Sequence, residues 1–410
     1  MPNKYIEFET GKGLEDSKGI GVTFNYISEY FSSGKRKEWS PGKDTYISRK
    51  LRYRTDPNGG LGKLGSITVI GASGAMGSEI LKRILLDEVL PACEKIQLFG
   101  RQTHPSQGRN RNYYNAMIEK LKDGMGGVLP HIEFVDSYNR VDGELLIMCA
   151  GKTISKDGGG VSDRTTLVRK NRTIFEDCAR SIKENPFNPP KLVIVVSNPN
   201  ELSTSIFSRY FKRVVAVGPV LDSLRFQREI REELNLSAEI PVHALVGGVH
   251  ELKGMVLYKS LLRIDGKRPP GRLAERIFSP SMEVPDIREI YKKAYEIVQR
   301  GDEGVFDYIN TYSILVRLAV KPLIEYYCGG RADFPVGVAV ISIIKAFQSN
   351  VRSLTTLTKL TCVCDDEVCI GVPLFISNNG VEEIDLDSIE GFRGCGDQEY
   401  LLKAVKMLKG

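Results

Sequence analysis

The feature that most constrains the fold is a regular alternation of short apolar runs and longer amphipathic stretches, which begins at Ser66. Six runs have the length of strands: Ile67–Ile70, Lys95–Phe99, His131–Val135, Glu144–Cys149, Leu192–Ser197 and Val214–Val217. Helical patterns lie between them, over Ala75–Leu90, Arg164–Glu184 and Glu201–Phe211. Largely apolar strands separated by helices are typical of a parallel sheet that is covered on both faces. The alternation therefore predicts a doubly wound α/β sheet.

The pattern changes after about residue 222. The expected elements are a helix over Leu221–Asn235, strands near His243–Val246 and Met255–Leu261, helices at 285–300, 305–327 and 336–348, a hairpin of Cys369–Ile376 with Val381–Ile384, and a helix over Gln398–Leu408. This mixture predicts an α+β domain. We therefore divide the 410 residues into an N-terminal extension (1–64), a first domain (65–220) and a second domain (221–410). We expect the extension to wrap around the protein or to mediate oligomerisation.

Composition excludes several classes of protein. The 57 Lys and Arg exceed the 51 Asp and Glu by 57 − 51 = 6 charges, too dilute an excess to predict nucleic-acid binding. No run of about 18 apolar residues predicts a membrane span, and no leader pattern is present, so we expect a cytoplasmic protein. The eight cysteines form no C-x-x-C pair, and the group Cys362, Cys364 and Cys369 has no histidine beside it. We therefore predict no metal site.

A glycine-rich segment joins the first strand to the first helix. Gly71, Gly74 and Gly77 are spaced so that the turn is tight, backbone N–H groups can approach a pyrophosphate, and the helix packs closely on the strand. A glycine triplet alone is also compatible with a simple tight turn. Its place in the first strand–helix–strand unit favours a Rossmann-type dinucleotide-binding domain.

The second strand ends without the acidic residue that holds the ribose of NAD. It ends in Gly100 and Arg101, and the stretch Lys95–Ile118 contains no Asp or Glu but also contains Arg109 and Arg111. A guanidinium pairs with a 2′-phosphate, whereas a carboxylate repels it. The alternative is a solvated loop of arginines. The sequence thus favours NADP(H), with NAD(H) possible.

Four later segments carry chemistry in a fixed order. Arg164 follows a loop with three consecutive glycines, and Asn198 follows an apolar strand. Asp222 and Arg225 share one face at the opening of a helix because they are three residues apart. His250 follows two glycines at a strand exit. Each has an alternative interpretation, since lone histidines are often structural and i,i+3 pairs often lie on the surface; His243 also competes with His250.

With these motifs, residues 66–410 resemble the L-lactate/malate dehydrogenase family, in particular an NADP-dependent malate-dehydrogenase-like member. The motifs occur in the family's order: VIGASGAMG, Ala-Gly before the loop to Arg164 with Leu167 and Asn171, VSNPN, VLDSLRF, GGVH, CIGVPL and NNGVEE. The resemblance implies a Rossmann-type doubly wound parallel sheet followed by an α+β catalytic domain. It implies hydride transfer between nicotinamide and a 2-hydroxy or 2-oxo acid. Family members are commonly dimers or tetramers, so we expect a homo-oligomer.

The resemblance also implies a role for each polar residue. His250 would exchange a proton with the substrate oxygen, and Asp222 would orient its imidazole. Arg225 would hold the substrate carboxylate in a bidentate pair. Arg164 would polarise the reacting carbonyl when its loop closes. Asn198 would donate a hydrogen bond to substrate or cofactor.

The same resemblance implies a set of cofactor-binding residues. These are Gly71, Ser73, Gly74, Ala75, Met76, Gly77, Gly100, Arg101, Ala150, Gly151, Asn171, Ser197 and Asn198.

Two departures from the family leave the substrate open. His250 is followed by Glu251-Leu-Lys-Gly254 where the family usually has Gly-Asp-Ser. The loop offers Lys152 and Lys156 where malate enzymes have an arginine and lactate enzymes a glutamine. A lysine could bind a distal carboxylate, or the longer loop could cover a bulkier 2-oxo acid. The alternative functions are a nicotinamide-dependent glycoside hydrolase of related fold and a non-catalytic dinucleotide-sensing protein.

Overall fold

The fold comes from a computed structural model. It describes residues 59–90, 94–100, 111–152, 164–185, 189–249, 254–278, 287–329, 332–363, 366–389, 391–394 and 396–409, together with three short strands nearer the N-terminus.

The described elements comprise strands, longer helices and a few single 3₁₀ turns. The strands are β1 Ile6–Phe8, β2 Ile20–Val22, β3 Tyr53–Arg54, β4 Ser66–Ile70, β5 Lys95–Phe99, β6 His131–Val135, β7 Leu145–Met148, β8 Leu192–Val195, β9 Val214–Ala216, β10 Val242–His243, β11 Val246–Gly248, β12 Met255–Leu257, β13 Arg263–Ile264, β14 Arg352–Val363, β15 Asp366–Ser377 and β16 Gly380–Ile384. The helices are α1 Ala75–Leu86, α2 Arg111–Gly124, α3 Arg164–Lys183, α4 Asn200–Ser208, α5 Gly218–Glu233, α6 Gly271–Phe278, α7 Ile287–Arg300, α8 Val305–Asn310, α9 Ile314–Tyr327, α10 Asp333–Gln348 and α11 Asp397–Lys409.

One large sheet runs through the molecule, in the order β12-β11-β15-β14-β9-β8-β7-β4-β5-β6. Strands β4 to β9 are parallel to one another. Because β4 lies between β5 and β7, the chain winds outward from it in both directions. This confirms the predicted doubly wound parallel sheet. Ligands of such sheets bind where the winding reverses, outside the carboxyl ends of the central strands, which here are β4 and β7.

The central strands are buried on both faces because their side chains alternate between two cores. Leu145 and Ile147 of β7 pack in one core with Ile80 of α1. Leu146 and Met148 lie in the other core, which contains residues of α3 and α4. Two-sided burial explains why β7 is apolar throughout.

A long antiparallel hairpin extends the sheet. Strands β14 and β15 pair over eleven positions, and Thr358 of β14 lies opposite Ala216 of β9. The predicted hairpin of Cys369–Ile376 with Val381–Ile384 is confirmed, since β15 and β16 pair up to Ser377 and Gly380 around an Asn-Asn turn. Of β14, the sequence predicts as a strand only the distal end, where Thr361-Cys362-Val363-Cys364 alternate, because threonines interrupt the apolar pattern of the rest.

Several predicted boundaries are corrected. The helix expected over 305–327 is two helices, α8 and α9, since the chain becomes extended at Ser313, the N-cap of α9. Helix α5 starts at Gly218, with a proline in its first turn, so Asp222 and Arg225 lie in its second turn rather than at its opening. The strand expected over Met255–Leu261 ends at Leu257 and is followed by a 3₁₀ turn.

Parts of the N-terminal extension join the sheet. Strand β2 pairs parallel with β14, and β3 pairs antiparallel with β16. The remainder of residues 1–58 lies outside the described residues. The role of the extension in oligomerisation and the domain division at residue 220 stay predictions.

Two features of the described residues bear on membrane and metal binding. None of the helices in this part of the chain is both long and apolar enough to cross a membrane. Within the same residues, no group of three or more His, Cys, Asp or Glu side chains is arranged to hold a metal ion.

Candidate functional site

The glycine loop after β4 packs directly against the exit of β7. Gly71 has a φ of +86°, and a Cβ atom there would lie 2.9 Å from the backbone nitrogen of Ala150. A Cβ on Gly77 would lie 2.4 Å from the carbonyl oxygen of Gly71. Gly74 caps α1 without a side-chain hydrogen bond, and the first turn of α1 has no acidic residue. The positive end of the helix therefore faces the crevice, which suits a phosphate group.

The remaining residues of the loop differ in exposure. Ala75 is exposed, whereas Ser73 and Met76 are half-buried. The hydroxyl of Ser73 accepts a hydrogen bond of 3.0 Å from Tyr114 of α2. Tyr114 is itself buried and stacks on Phe134, with ring centroids 4.0 Å apart.

The hydroxyl of Tyr114 fills the space next to Gly100 at the end of β5. A Cβ atom on Gly100 would lie 1.7 Å from that hydroxyl oxygen, so no larger residue fits there without moving Tyr114. The sequence does not single out Tyr114 as a site residue, because a tyrosine in the first turn of an amphipathic helix carries no distinctive signal. The end of β5 therefore presents a neutral hydroxyl close to the position where the ribose-binding acid was sought.

A carboxylate that follows the neighbouring strand nevertheless lies beside the end of β5. Asp136 follows β6 and lies 3.6 Å from the guanidinium of Arg111. The sequence pattern did not predict this carboxylate, because Asp136 lies outside the acid-free stretch 95–118. Arg101 and Arg109 lie outside the described residues.

The exits of β7 and β8 are tied together by buried polar groups. The Ser197 hydroxyl donates to the carbonyl oxygen of Ala150 at 2.7 Å. Asn171 of α3 is fully buried, accepts from the backbone nitrogen of Lys152 at 2.7 Å and donates to its carbonyl oxygen at 3.1 Å. Asn171 also donates to the carbonyl oxygen of Asn198 at 2.7 Å. Asn171 thus fixes the base of the Gly151–Asp163 loop, and its predicted contact with the cofactor stays a prediction.

Asp222 and Arg225 form an ion pair on α5. Nη1 of Arg225 lies 3.3 Å from Oδ1 of Asp222, and their side chains are 16% and 6% exposed. The pairing agrees with the predicted shared helix face. Burial strengthens this interaction relative to a surface pair, and the partial exposure of Arg225 leaves its guanidinium accessible to an anion.

The strand that leads to His250 lies against the start of the same helix. The Ser223 hydroxyl accepts from the backbone nitrogen of Val246 at 2.9 Å. A Cβ atom on Gly371 of β15 would contact both Pro219, at 2.8 Å, and the carbonyl oxygen of Gly248, at 3.0 Å. β11 and the first turns of α5 therefore meet over a glycine.

Several residues that were predicted to act in the site lie wholly or partly outside the described residues. His250 and Lys156 lie outside the described residues, as does most of the loop between Lys152 and Arg164. Arg164 begins α3 as predicted, although only its backbone is described. Lys152 is exposed at the base of the loop. The functional roles of these residues stay predictions.

His243, the competitor of His250, occupies a different environment. It is 4% exposed in β10, and burial, followed by the charge of Arg263, lowers its pKa to about 3. A neutral imidazole that is shielded from solvent at physiological pH is a poor proton-exchange group. The structure therefore removes His243 as a competitor.

Comparison with known proteins is consistent with this geometry. Residues 66–214 match the family model described as lactate/malate dehydrogenase, NAD binding domain. The chain is 28% identical to an L-lactate dehydrogenase of Mycoplasma mobile over 66% of this chain and 74% of that protein. It is 25% identical to an L-2-hydroxycarboxylate dehydrogenase (NAD(P)(+)) of Methanocaldococcus jannaschii over 80% and 94% of the two chains.

Solved structures support the same fold. The lactate dehydrogenase of Cryptosporidium parvum, solved with lactic acid and nicotinamide adenine dinucleotide, superposes with a TM-score of 0.58 at 20% identity, over 85% of this chain and 96% of the other.

Proposed function

We propose that this chain, whose residues 66–214 match the lactate/malate dehydrogenase NAD binding domain, is an NADP(H)-linked oxidoreductase of that family and transfers a hydride between the nicotinamide and a 2-hydroxy or 2-oxo carboxylic acid. The observation that carries the proposal is the buried Asp222–Arg225 pair on α5, whose first turns meet the exit of β11. An anion clamp and a proton-transfer group would then share one end of the sheet with the phosphate loop.

The cofactor fits the residues at the carboxyl edge. Gly71 and Gly77 allow the loop to pack closely against the exit of β7 and the start of α1, where a Cβ atom would clash, and Gly74 precedes the positive end of α1, which suits a pyrophosphate. When bound, the nicotinamide supplies or receives the hydride.

The chain's own residues would manage the proton and the substrate charge. In this proposal His250 gives a proton to the carbonyl oxygen during reduction and takes it back during oxidation. Asp222 holds the imidazole and stabilises its charged form. Arg225 pairs with the substrate carboxylate, and Arg164 polarises the carbonyl.

The preference for NADP(H) is supported by the end of β5. Gly100 and the buried Tyr114 hydroxyl bring no negative charge to this point. A 2′-phosphate would meet no carboxylate from β5 itself, and Arg101 follows directly in the sequence. Asp136 is paired with Arg111, which reduces its repulsion of such a phosphate.

The acid substrate is proposed only as a class. Lys152 is exposed at the base of the loop, where an ammonium group could receive a second carboxylate. This would suit a malate/oxaloacetate-like pair, whereas a bulkier 2-oxo acid would use the additional loop length.

The direct test is oxidation of NADPH and NADH with a panel of 2-oxo acids, namely oxaloacetate, pyruvate, and branched and aromatic members. We expect turnover with at least one of them and a higher kcat/KM with NADPH. Binding of NADPH without turnover of any acid would contradict the proposal and favour a dinucleotide-sensing protein. Turnover of a glycoside instead would favour the hydrolase alternative.

A second test addresses the carboxylate clamp. Arg225→Lys keeps the charge but loses the bidentate geometry, so we expect kcat/KM to fall about 10- to 100-fold. The matched control is Arg231→Lys on the same helix, since Arg231 donates to the carbonyl oxygen of Ser237. Equal activities of the two variants would argue against Arg225 as the clamp.

A further inference from the structure

A second asparagine lies directly behind Asn198. Asn200 is the first residue of α4 and is 2% exposed. Its Oδ1 accepts from the backbone nitrogen of Gly218 at 2.8 Å, and its Nδ2 donates to Oδ1 of Asn198 at 2.6 Å. The same Nδ2 lies 3.4 Å from the carbonyl oxygen of Ser197. All of these partners belong to the edge of the sheet where the site lies.

These contacts determine which end of each carboxamide faces which way. A backbone N–H can only donate, so the end of Asn200 that faces Gly218 must be its oxygen. Its NH2 group must then face Asn198, and the end of Asn198 that meets an NH2 group must be its oxygen. The NH2 group of Asn198, whose side chain is exposed, is thereby directed away from Asn200.

The same contact reaches the helix of the carboxylate clamp. Gly218 is the first residue of α5, which carries Asp222 and Arg225. A buried amide therefore joins the exit of β8 to the helix that carries the ion pair. Buried hydrogen bonds of this type fix orientation because the alternative leaves polar groups unsatisfied.

We propose that Asn200 is a positioning residue that holds Asn198 as a hydrogen-bond donor toward the ligand. The group that faces Asn198 must then be an acceptor, such as the carbonyl oxygen of a 2-oxo acid. This inference rests on the proposed function for the identity of the ligand, whereas the orientation of Asn198 does not depend on it.

The test is Asn200→Asp. The new carboxylate still accepts from the N–H of Gly218 but can no longer donate to Asn198. Asn198 must turn its NH2 group inward, and its oxygen then faces the ligand. We expect kcat/KM for the 2-oxo acid to fall about 10- to 100-fold, with the affinity for NADPH changed by less than about twofold.

A double-mutant cycle separates positioning from general structure. If Asn200 acts through Asn198, adding Asn200→Asp to Asn198→Ala changes kcat/KM by less than about twofold. The same loss in both backgrounds would overturn the proposal. The control is Asn185→Asp, because Asn185 donates to the carbonyl oxygen of Val141 on the other side of the domain, and we expect its kcat/KM to equal that of the wild type.

A measurement that does not depend on turnover distinguishes the inference about Asn200 from the proposed function. In protein labelled with ¹⁵N-asparagine, we expect the side-chain amide protons of Asn198 to exchange rapidly with water in the wild type and slowly in Asn200→Asp. Equal exchange rates would overturn the inference even if the enzyme is active. The predicted change in exchange would support it even if no acid in the panel is turned over, which would contradict only the proposed function.

Discussion

The parallel-strand region (residues 59–217) and the region that follows it (residues 218–409) bury polar groups in different ways. Among the described residues, the polar side chains buried in the first region are neutral apart from Glu201; they include Thr68, Gln97, Asn171 and Asn200. The second region buries whole charges. Its largest group lies between α5 and α9, where Glu229 contacts Arg317 at 3.4 Å and Lys321 at 2.8 Å.

The difference follows from the parts of the structure that the buried polar groups connect in each region. In the first region, amides and hydroxyls link loops at strand ends, and each can satisfy both donors and acceptors without a net charge. In the second region, two helices are joined by ions whose desolvation must be offset by their mutual attraction. The ions lie farther along α5 than Asp222 and Arg225.

The buried ions give the greatest sensitivity to substitution. Glu229→Ala leaves Arg317 and Lys321 buried without their shared carboxylate, so we expect the free energy of unfolding to fall by about 3–5 kcal/mol. The measurement is urea unfolding followed by circular dichroism. The control is Arg393→Ala, which removes an exposed pair with Asp387 at 3.0 Å and should leave the free energy of unfolding unchanged. A loss from Glu229→Ala of under about 1 kcal/mol would mean that the ions relax into solvent.

Buried His243 makes the second region sensitive to acid. Its folded-state pKa is about 3, lowered chiefly by burial, against about 6.5 in the unfolded chain. Above pH 6.5 both states are neutral, and this group adds no pH dependence. As the pH falls from 6.5 toward 3, the unfolded chain takes up a proton that the folded protein does not. The free energy of unfolding should then fall by up to about 1.4 kcal/mol per pH unit.

The variant His243→Phe tests this effect. It should flatten the pH dependence of stability between pH 6.5 and 4.5, as measured by urea unfolding at each pH. His131→Asn is the control, because His131 is exposed on β6, and it should retain the wild-type slope. A wild-type slope in His243→Phe would show that other groups carry the acid sensitivity.

The two regions also differ in how much of them the sequence could predict. The bounds of β5 and β6 agree with the predicted runs, since each is a short run rich in apolar residues that stands apart from the helical patterns around it. Strand β14 was largely missed because Thr355, Thr356 and Thr358 are buried within it although they are polar, so that they break the apolar pattern that marks a strand. The two-helix nature of residues 305–327 was missed because only the short Thr-Tyr-Ser stretch signals the break.

The candidate site was also predictable from the sequence only in part. The glycine loop and the Asp222–Arg225 pair depend on short sequence spacings, which can be read directly. The contacts of Asn200 and Tyr114 depend on where distant elements meet, Gly218 in one case and Ser73 in the other. No spacing rule reports a contact between α2 and the loop after β4.

Tyr114→Phe gives the smallest of the expected effects and tests a neutral hydrogen bond of the parallel-strand region alone. The ring keeps its stacking on Phe134, and only the hydrogen bond to the Ser73 hydroxyl is lost. We expect the free energy of unfolding to fall by about 0.5–1.5 kcal/mol and the Kd for NADPH to rise about two- to tenfold, with kcat unchanged. Thermal unfolding and NADPH fluorescence titration measure the two effects. A loss as large as that of Glu229→Ala would show that the neutral hydrogen bonds of the parallel-strand region hold the fold as strongly as the buried ions do.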